Sequence, residues 1–128
     1  MDLSAKKEKM KIWQLRFMSY KTSDDIFDLV ISGEKTIETR PATKNFKVGD
    51  RLVLTSVSSG RKIEKEITYV HKYASPERML EKEDYEKIFP GIGSKKDLLE
   101  VYKTAKKKWG EKYKFELENY GIVAIGFK

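Results

Sequence analysis

Cysteine is absent from the 128 residues, and histidine occurs once, at His71. The first absence excludes disulfides, a thiolate nucleophile and cysteine-bound metal; the second excludes a multi-histidine metal cluster. No apolar run approaches the ~20 residues that cross a bilayer, and the N-terminus has no apolar signal-peptide core. Internal repeats and low-complexity tracts are missing too. Arginine is scarce, with five against 22 lysines. These absences leave the expectation of a cytoplasmic monomer without cofactor, metal or membrane. Residues 1–10 read as a flexible polar extension, and residues 11–128 as one domain, long enough to bury one ordinary core.

What is present in excess is charge. Asp, Glu, Lys and Arg make up 37% of the chain, and the net charge is +7. It is unevenly spread: residues 1–21 carry a net +4, residues 95–114 a net +5, and residues 22–94 are close to neutral. Basic flanks around a neutral centre suit a polyanion such as RNA. The competing interpretation is solubilising lysine on helix faces, and the shortage of arginine gives it equal weight, because specific nucleic-acid readers lean on arginine forks.

Periodicity supplies the elements. Trp13, Leu15 and Phe17 alternate with Ile12, Gln14, Arg16 and Met18, as in a strand. Ser23 is placed to cap a helix whose first turn holds Asp24 and Asp25; Ile26, Phe27, Val30 and Ile31 form its apolar stripe, and Gly33 is its stop. Strands are predicted at 51–57 and about 62–73, joined by the turn Ser58-Ser59-Gly60. Ser75-Pro76-Glu77 is a helix start, followed by a second short helix and a loop at Phe89–Gly93. Ser94 opens what reads as the longest helix, with Leu98, Leu99, Tyr102, Ala105 and Trp109 on one face. Tyr120–Phe127 is apolar on both faces, so it should be a central, covered strand.

One stretch combines a helix stop with a dense charge pattern: Gly33-x-Lys35-x-x-Glu38-x-Arg40. On a strand, Glu38 and Arg40 share a face with Thr36, while Ile37 and Thr39 point the other way. Lys35 lies at the turn, its long stem free to reach over either face. Read alone, the pattern is equally a surface ion pair contributing ~0–1 kcal/mol.

That segment, followed by Val48-Gly49-Asp50, resembles the ASCH domain, a branch of the PUA-like superfamily. The likeness extends to Glu66–Tyr73, to Ile88-Phe89-Pro90-Gly91 and to the closing Tyr120–Phe127, and covers about residues 11–128. It implies an α+β fold: a PUA-like partial β-barrel of five or six mainly antiparallel strands with helices packed at its ends, burying Trp13, Leu15, Leu52, Leu54, Ile67, Val123 and Ile125. It also implies a cleft between barrel and helices, floored by the motif, and RNA as the class of ligand.

The ligand-binding candidates are therefore Gly33, Lys35, Glu38, Arg40, Tyr20 and Tyr73, with Tyr69 and Trp13 as further aromatics. Lys35 and Arg40 would donate to phosphate or carbonyl oxygens, and Glu38 would accept from an exocyclic amine. The tyrosines would stack on a base. For Trp13 core packing is favoured. Lys103, Lys106 and Lys107 would meet the phosphate backbone.

An enzyme is the alternative. Proteins similar to this one include amidohydrolases that deacylate N-acylated cytidine with a lysine, a threonine three residues later and a glutamate from the helical part. Lys35 matches the lysine, but Glu38 occupies the threonine position, and Glu86 is only a candidate for the glutamate. Lys35 and Glu38 would be the catalytic pair, with Glu38 as base and Lys35 polarising a carbonyl. A ribonuclease would have only His71 to offer as histidine. A protein-interaction module is a further, weaker alternative. A closed pocket around buried Lys35 and Glu38 would favour catalysis; an open groove continuous with Lys103, Lys106 and Lys107 would favour binding.

Overall fold

The computed structural model describes residues 9–17, 22–104, 107 and 109–128. Five strands form one sheet in the order β1-β3-β4-β5-β2: β1 (Ile12–Phe17), β2 (Ile37–Pro41), β3 (Arg51–Ser56), β4 (Lys62–Tyr73) and β5 (Ile122–Phe127). Among the described residues only β1 and β3 run parallel; the other three pairings are antiparallel. β4 is long enough, at 12 residues, to serve two neighbours. Its first part, Lys62–Glu66, pairs with β3. Its second part, from Ile67, pairs with β5, after an irregularity between Ile67 and Tyr69. Such a break in register bends a strand, and the sheet curls into a half-barrel. This is the expected α+β, PUA-like partial barrel.

The helices are α1 (Ser23–Ser32), α2 (Pro76–Leu80), α3 (Tyr85–Ile88), α4 (Lys95–Lys103) and α5 (Glu111–Tyr120). Ser75 caps α2 and Ser94 caps α4, each side chain accepting from the N–H three residues on. β5 explains the two-sided core. Its six residues are all buried and alternate between two clusters. Val123, Ile125 and Phe127 join Leu15, Leu52, Leu54 and Ile67 inside the curl. Ile122 and Ala124 join Met79, Leu98 and Leu117 beneath the helices. Each fully buried aliphatic side chain contributes about 1.5–3 kcal/mol, so β5, flanked by β4 and β2, is the spine of both halves.

Several sequence-based expectations change. Ser23 is not the cap of α1: Thr22 holds that position without a side-chain bond. Ser23 is instead fully buried, and its Oγ accepts from Ser56 Oγ and from the Ser58 N–H. Ile31 is more than half exposed. The expected longest helix stops at Lys103, and a separate helix, α5, follows Gly110. Gly110 has φ +94°, which an L side chain rarely adopts, so helix cannot run through it. Trp109, expected on the buried face, is 40% exposed and packs on Tyr113 with ring centroids 4.9 Å apart. Trp13 is only partly buried, donating from Nε1 to Asp50 at 2.9 Å. Among the described residues no helix is long and apolar enough to cross a membrane.

Candidate functional site

The motif begins where α1 ends. Gly33, with φ +83°, closes α1 in the left-handed conformation, and its N–H returns to the Val30 carbonyl. The Lys35 N–H bonds back to the Leu29 carbonyl at 3.0 Å. This sharp reversal sends the Lys35 side chain inward. Only 5% of the residue is exposed. Its Nζ donates to the carbonyls of Ile37 at 2.7 Å and Ile88 at 2.6 Å, and pairs with Glu38 Oε1 at 3.3 Å. An ammonium has three N–H groups, and here each has an acceptor.

Glu38 is buried as well, at 7% exposure. Its Oε1 also accepts from the Thr39 N–H at 3.1 Å, and its Oε2 pairs with Arg40 Nη2 at 3.0 Å. The strand register settles the faces: Glu38 and Arg40 lie opposite Ile125 and Val123, Ile37 and Thr39 opposite Gly126 and Ala124. The first pair therefore faces the half-barrel and the second faces the helices. Arg40 Nη2 also donates to the Arg16 carbonyl at 3.0 Å. Since β1 and β2 are the two edges of the sheet, this bond spans the open seam of the half-barrel.

Burial pushes the Glu38 carboxyl up, but the charges of Lys35 and Arg40 outweigh it and hold the group below the ordinary carboxylate value. Burial pushes the Lys35 ammonium down; Glu38 opposes this, and the charge of Arg40 adds to the fall. The cluster thus carries two cations and one anion in a low-dielectric place, where charge interactions are strongest.

Tyrosines reach the cluster from the helices. Thr39 Oγ1 and the Tyr102 hydroxyl are 2.6 Å apart. Tyr113 on α5 also feels the charges of Arg40 and Glu38. Burial raises both hydroxyls beyond the ordinary tyrosine range. Tyr102 read from sequence as a core residue. Its spacing on α4 could not reveal a link to Thr39, because that contact crosses 63 positions.

The other candidates are dispersed. Tyr20 and Lys106 lie outside the described residues. Lys103 and Lys107 are exposed. Lys103 and Tyr102 line a shallow groove with Glu77, Leu99, Lys114 and Glu118. A second depression is lined by Lys9, Lys11, Lys47 and Asp50 among others. Neither is lined by Lys35, Glu38 or Arg40. Glu86 is exposed and accepts from the Tyr85 hydroxyl at 3.3 Å. The buried acid of the helical part is Glu83, at 8% exposure, which the sequence reading missed. It accepts from the Tyr69 hydroxyl at 3.0 Å, from His71 Nδ1 at 2.9 Å and from the Tyr73 hydroxyl. The alternation Tyr69-x-His71-x-Tyr73, three polar aromatics on one strand face, was the available signal. Burial and the Glu83 bond push the Tyr73 hydroxyl up to about 12. Those donors, above all the Tyr73 hydroxyl, overcome burial and hold Glu83 below the ordinary value.

Residues 17–85, which include the whole motif, match the family described as Domain of unknown function (DUF3850). The chain belongs to the DUF3850 family. No curated protein matches it. Among solved structures, the crystal structure of hypothetical protein PH0355 is 24% identical, with a TM-score of 0.70 over 91% of this chain and 97% of that one. The solution structure of protein PF0455 from Pyrococcus furiosus is 25% identical, with a TM-score of 0.61 over 91% and 96%. The ASCH domain from Lactobacillus crispatus JV V101 is 18% identical, with a TM-score of 0.61 over 92% and 79%. This DUF3850 member therefore has an ASCH-like fold.

Proposed function

We propose that this domain binds a nucleotide or the single-stranded end of an RNA beside β2. Arg40 meets the anionic group of the ligand, and Lys35 and Glu38 hold Arg40 in place. The observation that carries this reading is the excess cation in the motif cluster. Two buried or half-buried cations share one carboxylate, and the Arg40 side chain remains a quarter exposed. A phosphate oxygen arriving at that guanidinium would complete the charge balance through a charge-assisted hydrogen bond. Lys103, Lys106 and Lys107 add attraction for the backbone that is independent of sequence. Tyr20 remains the proposed base-stacking group, and Gly33 the turn that sets Lys35 in place; Tyr73, opposite Ile122 on the helix face with its hydroxyl on Glu83, lies across the sheet from Glu38 and Arg40.

Binding ranks above hydrolysis on one geometric ground. With its N–H groups directed at the Ile37 carbonyl, the Ile88 carbonyl and Glu38, Lys35 has no N–H left to polarise a substrate carbonyl. The amidohydrolase and ribonuclease readings are kept as outcomes to be tested.

The test is equilibrium binding of a labelled single-stranded RNA and of mononucleotides at about 50 and about 200 mM salt. The expected result is saturable binding that weakens steeply with salt. It should be lost in Arg40→Gln, and the salt slope should be flattened when Lys103, Lys106 and Lys107 become glutamine. No binding by the wild type at the lower salt would overturn the proposal.

A further inference from the structure

Glu83 is a buried acid that the proposed binding role leaves unused. It lies in the turn between α2 and α3, yet its bonds go to β4, where the donors Tyr69, His71 and Tyr73 come from alternate positions of one strand face. A carboxylate only accepts, so His71 presents Nδ1–H to it. Burying a carboxylate is costly unless donors are supplied, and this one is fully supplied on a single side. The turn is pinned to the sheet at that point.

The same segment is tied again six residues or fewer downstream. The Lys87 carbonyl accepts from the Thr36 N–H at 3.1 Å, and the Ile88 carbonyl accepts from Lys35 Nζ at 2.6 Å. The second tie falls within α3 itself, four residues long and started by Asp84, whose side chain accepts from the Glu86 N–H. A helix of one turn does not hold itself together. Its place is set by what grips its ends: Glu83 on β4 at one, the motif and the buried Ile88 side chain at the other.

We infer that Glu83 is a positioning residue for the motif cluster: by pinning the start of α3 to Tyr69, His71 and Tyr73, it holds the Ile88 carbonyl against the Lys35 ammonium. Without that pin α3 is free to drift and the Ile88 carbonyl withdraws. Lys35 then leans further on Glu38, and the share of Glu38 left to orient Arg40 falls. The consequence for ligand binding rests on the proposed function above; the link from Glu83 to Lys35 does not.

The experiment is side-chain NMR of the Lys35 ammonium, with hydrogen exchange of the Thr36 amide, on the full ligand-free chain. Glu83→Gln should shift the Lys35 signal and speed both exchange rates by at least about tenfold, the change expected from losing one hydrogen bond to a charged group. Tyr73→Phe should act in the same direction and less strongly. Glu81→Gln, at an exposed neighbour that pairs with Arg78, should do neither. A folded Glu83→Gln whose His71 ring signals move while Lys35 and Thr36 stay unchanged would overturn the inference. Should Glu83→Gln fail to fold, an unmoved Lys35 signal in Tyr73→Phe overturns it equally. Wild-type protein that binds no nucleotide but shows the Glu83-dependent Lys35 shift would remove the functional proposal and leave the positioning role standing.

Discussion

Arg40 Nη2 donates to the Arg16 carbonyl at 3.0 Å, joining the two edge strands of a sheet whose order never brings them into a ladder. The same nitrogen pairs with Glu38. One guanidinium therefore closes the half-barrel and anchors the charge cluster. Arg40→Lys should separate the two roles, because a lysine is a point charge on a flexible stem and cannot reproduce the planar fork. The expected result is a loss of about 1–3 kcal/mol in a denaturant titration. It should come with faster amide exchange along β1 and with β4, in the middle of the sheet, unaffected. Unchanged exchange along β1 would mean that the seam is held by other contacts.

Tyr69 and Gly126 make the second close relationship. They are cross-strand partners, and a Cβ on Gly126 would stand 2.1 Å from the Tyr69 ring. The ring packs directly on Gly126 and carries its hydroxyl to Glu83. Gly126→Ala must therefore displace the ring, an overpacking change of about 1–3 kcal/mol. Thermal or urea unfolding of Gly126→Ala, Tyr69→Leu and the double variant checks this. The two effects should be clearly non-additive, since once the ring is gone the added methyl has room. Strict additivity would show that the ring has another place to go.

The acid side of the stability curve has a definite sign. Glu38, Asp50 and Glu83 are all held below their ordinary carboxylate values in the folded state, and Asp24, bonded by Ser56 and Ser59 and paired with Arg61, lies at about 2. A group whose folded pKa is depressed contributes stability above its unfolded value, and that contribution disappears as pH falls through the folded one. Stability should be level from neutrality down to about 4.5, the ordinary glutamate value, and then fall steadily toward pH 2. Urea midpoints across that range check it. Asp24→Asn should remove part of the lowest portion of the slope and leave the plateau level.

The fold was legible wherever a single element carried its own signal. Gly33 as a helix stop, Ser75-Pro76 as a helix start, the length of β4 and the two-sided apolar β5 all follow from local sequence. What failed was decided by long-range contact. Ser23 has the chemistry of a cap, yet Ser56 and Ser58 on the neighbouring strand claim its hydroxyl. Trp109 has helical spacing from Tyr102, yet the helix holding Tyr102 stops at Lys103, and the indole lies against Tyr113. In the site, the spacing of Lys35, Glu38 and Arg40 indicated a charged group on one strand, but no pattern in sequence shows that Ile88, 53 positions away, supplies the carbonyl that holds Lys35. Glu83 was missed for the same reason: its donors lie 10 to 14 positions back on another element, where the alternation Tyr69-x-His71-x-Tyr73 shows donors without showing which acid they meet.

The sharpest prediction concerns catalysis. In the amidohydrolases that this motif resembles, a threonine follows the lysine by three positions; here that position is Glu38, and its two oxygens are occupied by Lys35, Arg40 and the Thr39 N–H. Two threonines lie nearby, Thr36 and Thr39, both out of the three-residue register, and the Thr39 hydroxyl faces the helices and is bonded to Tyr102. No hydroxyl therefore stands at the threonine position, and the wild type should turn over N-acylated cytidine weakly or not at all. Glu38→Thr restores the spacing but removes the only anion between two buried or half-buried cations. Breaking a buried pair in this way costs about 3–5 kcal/mol, so the variant should be markedly less stable and gain at most a trace of activity. Steady-state assay of the wild type decides the matter. A kcat/KM at or above about 10⁴ M⁻¹s⁻¹, the lower end for ordinary enzymes, would replace the binding proposal with a hydrolytic one in which Glu38 acts as base.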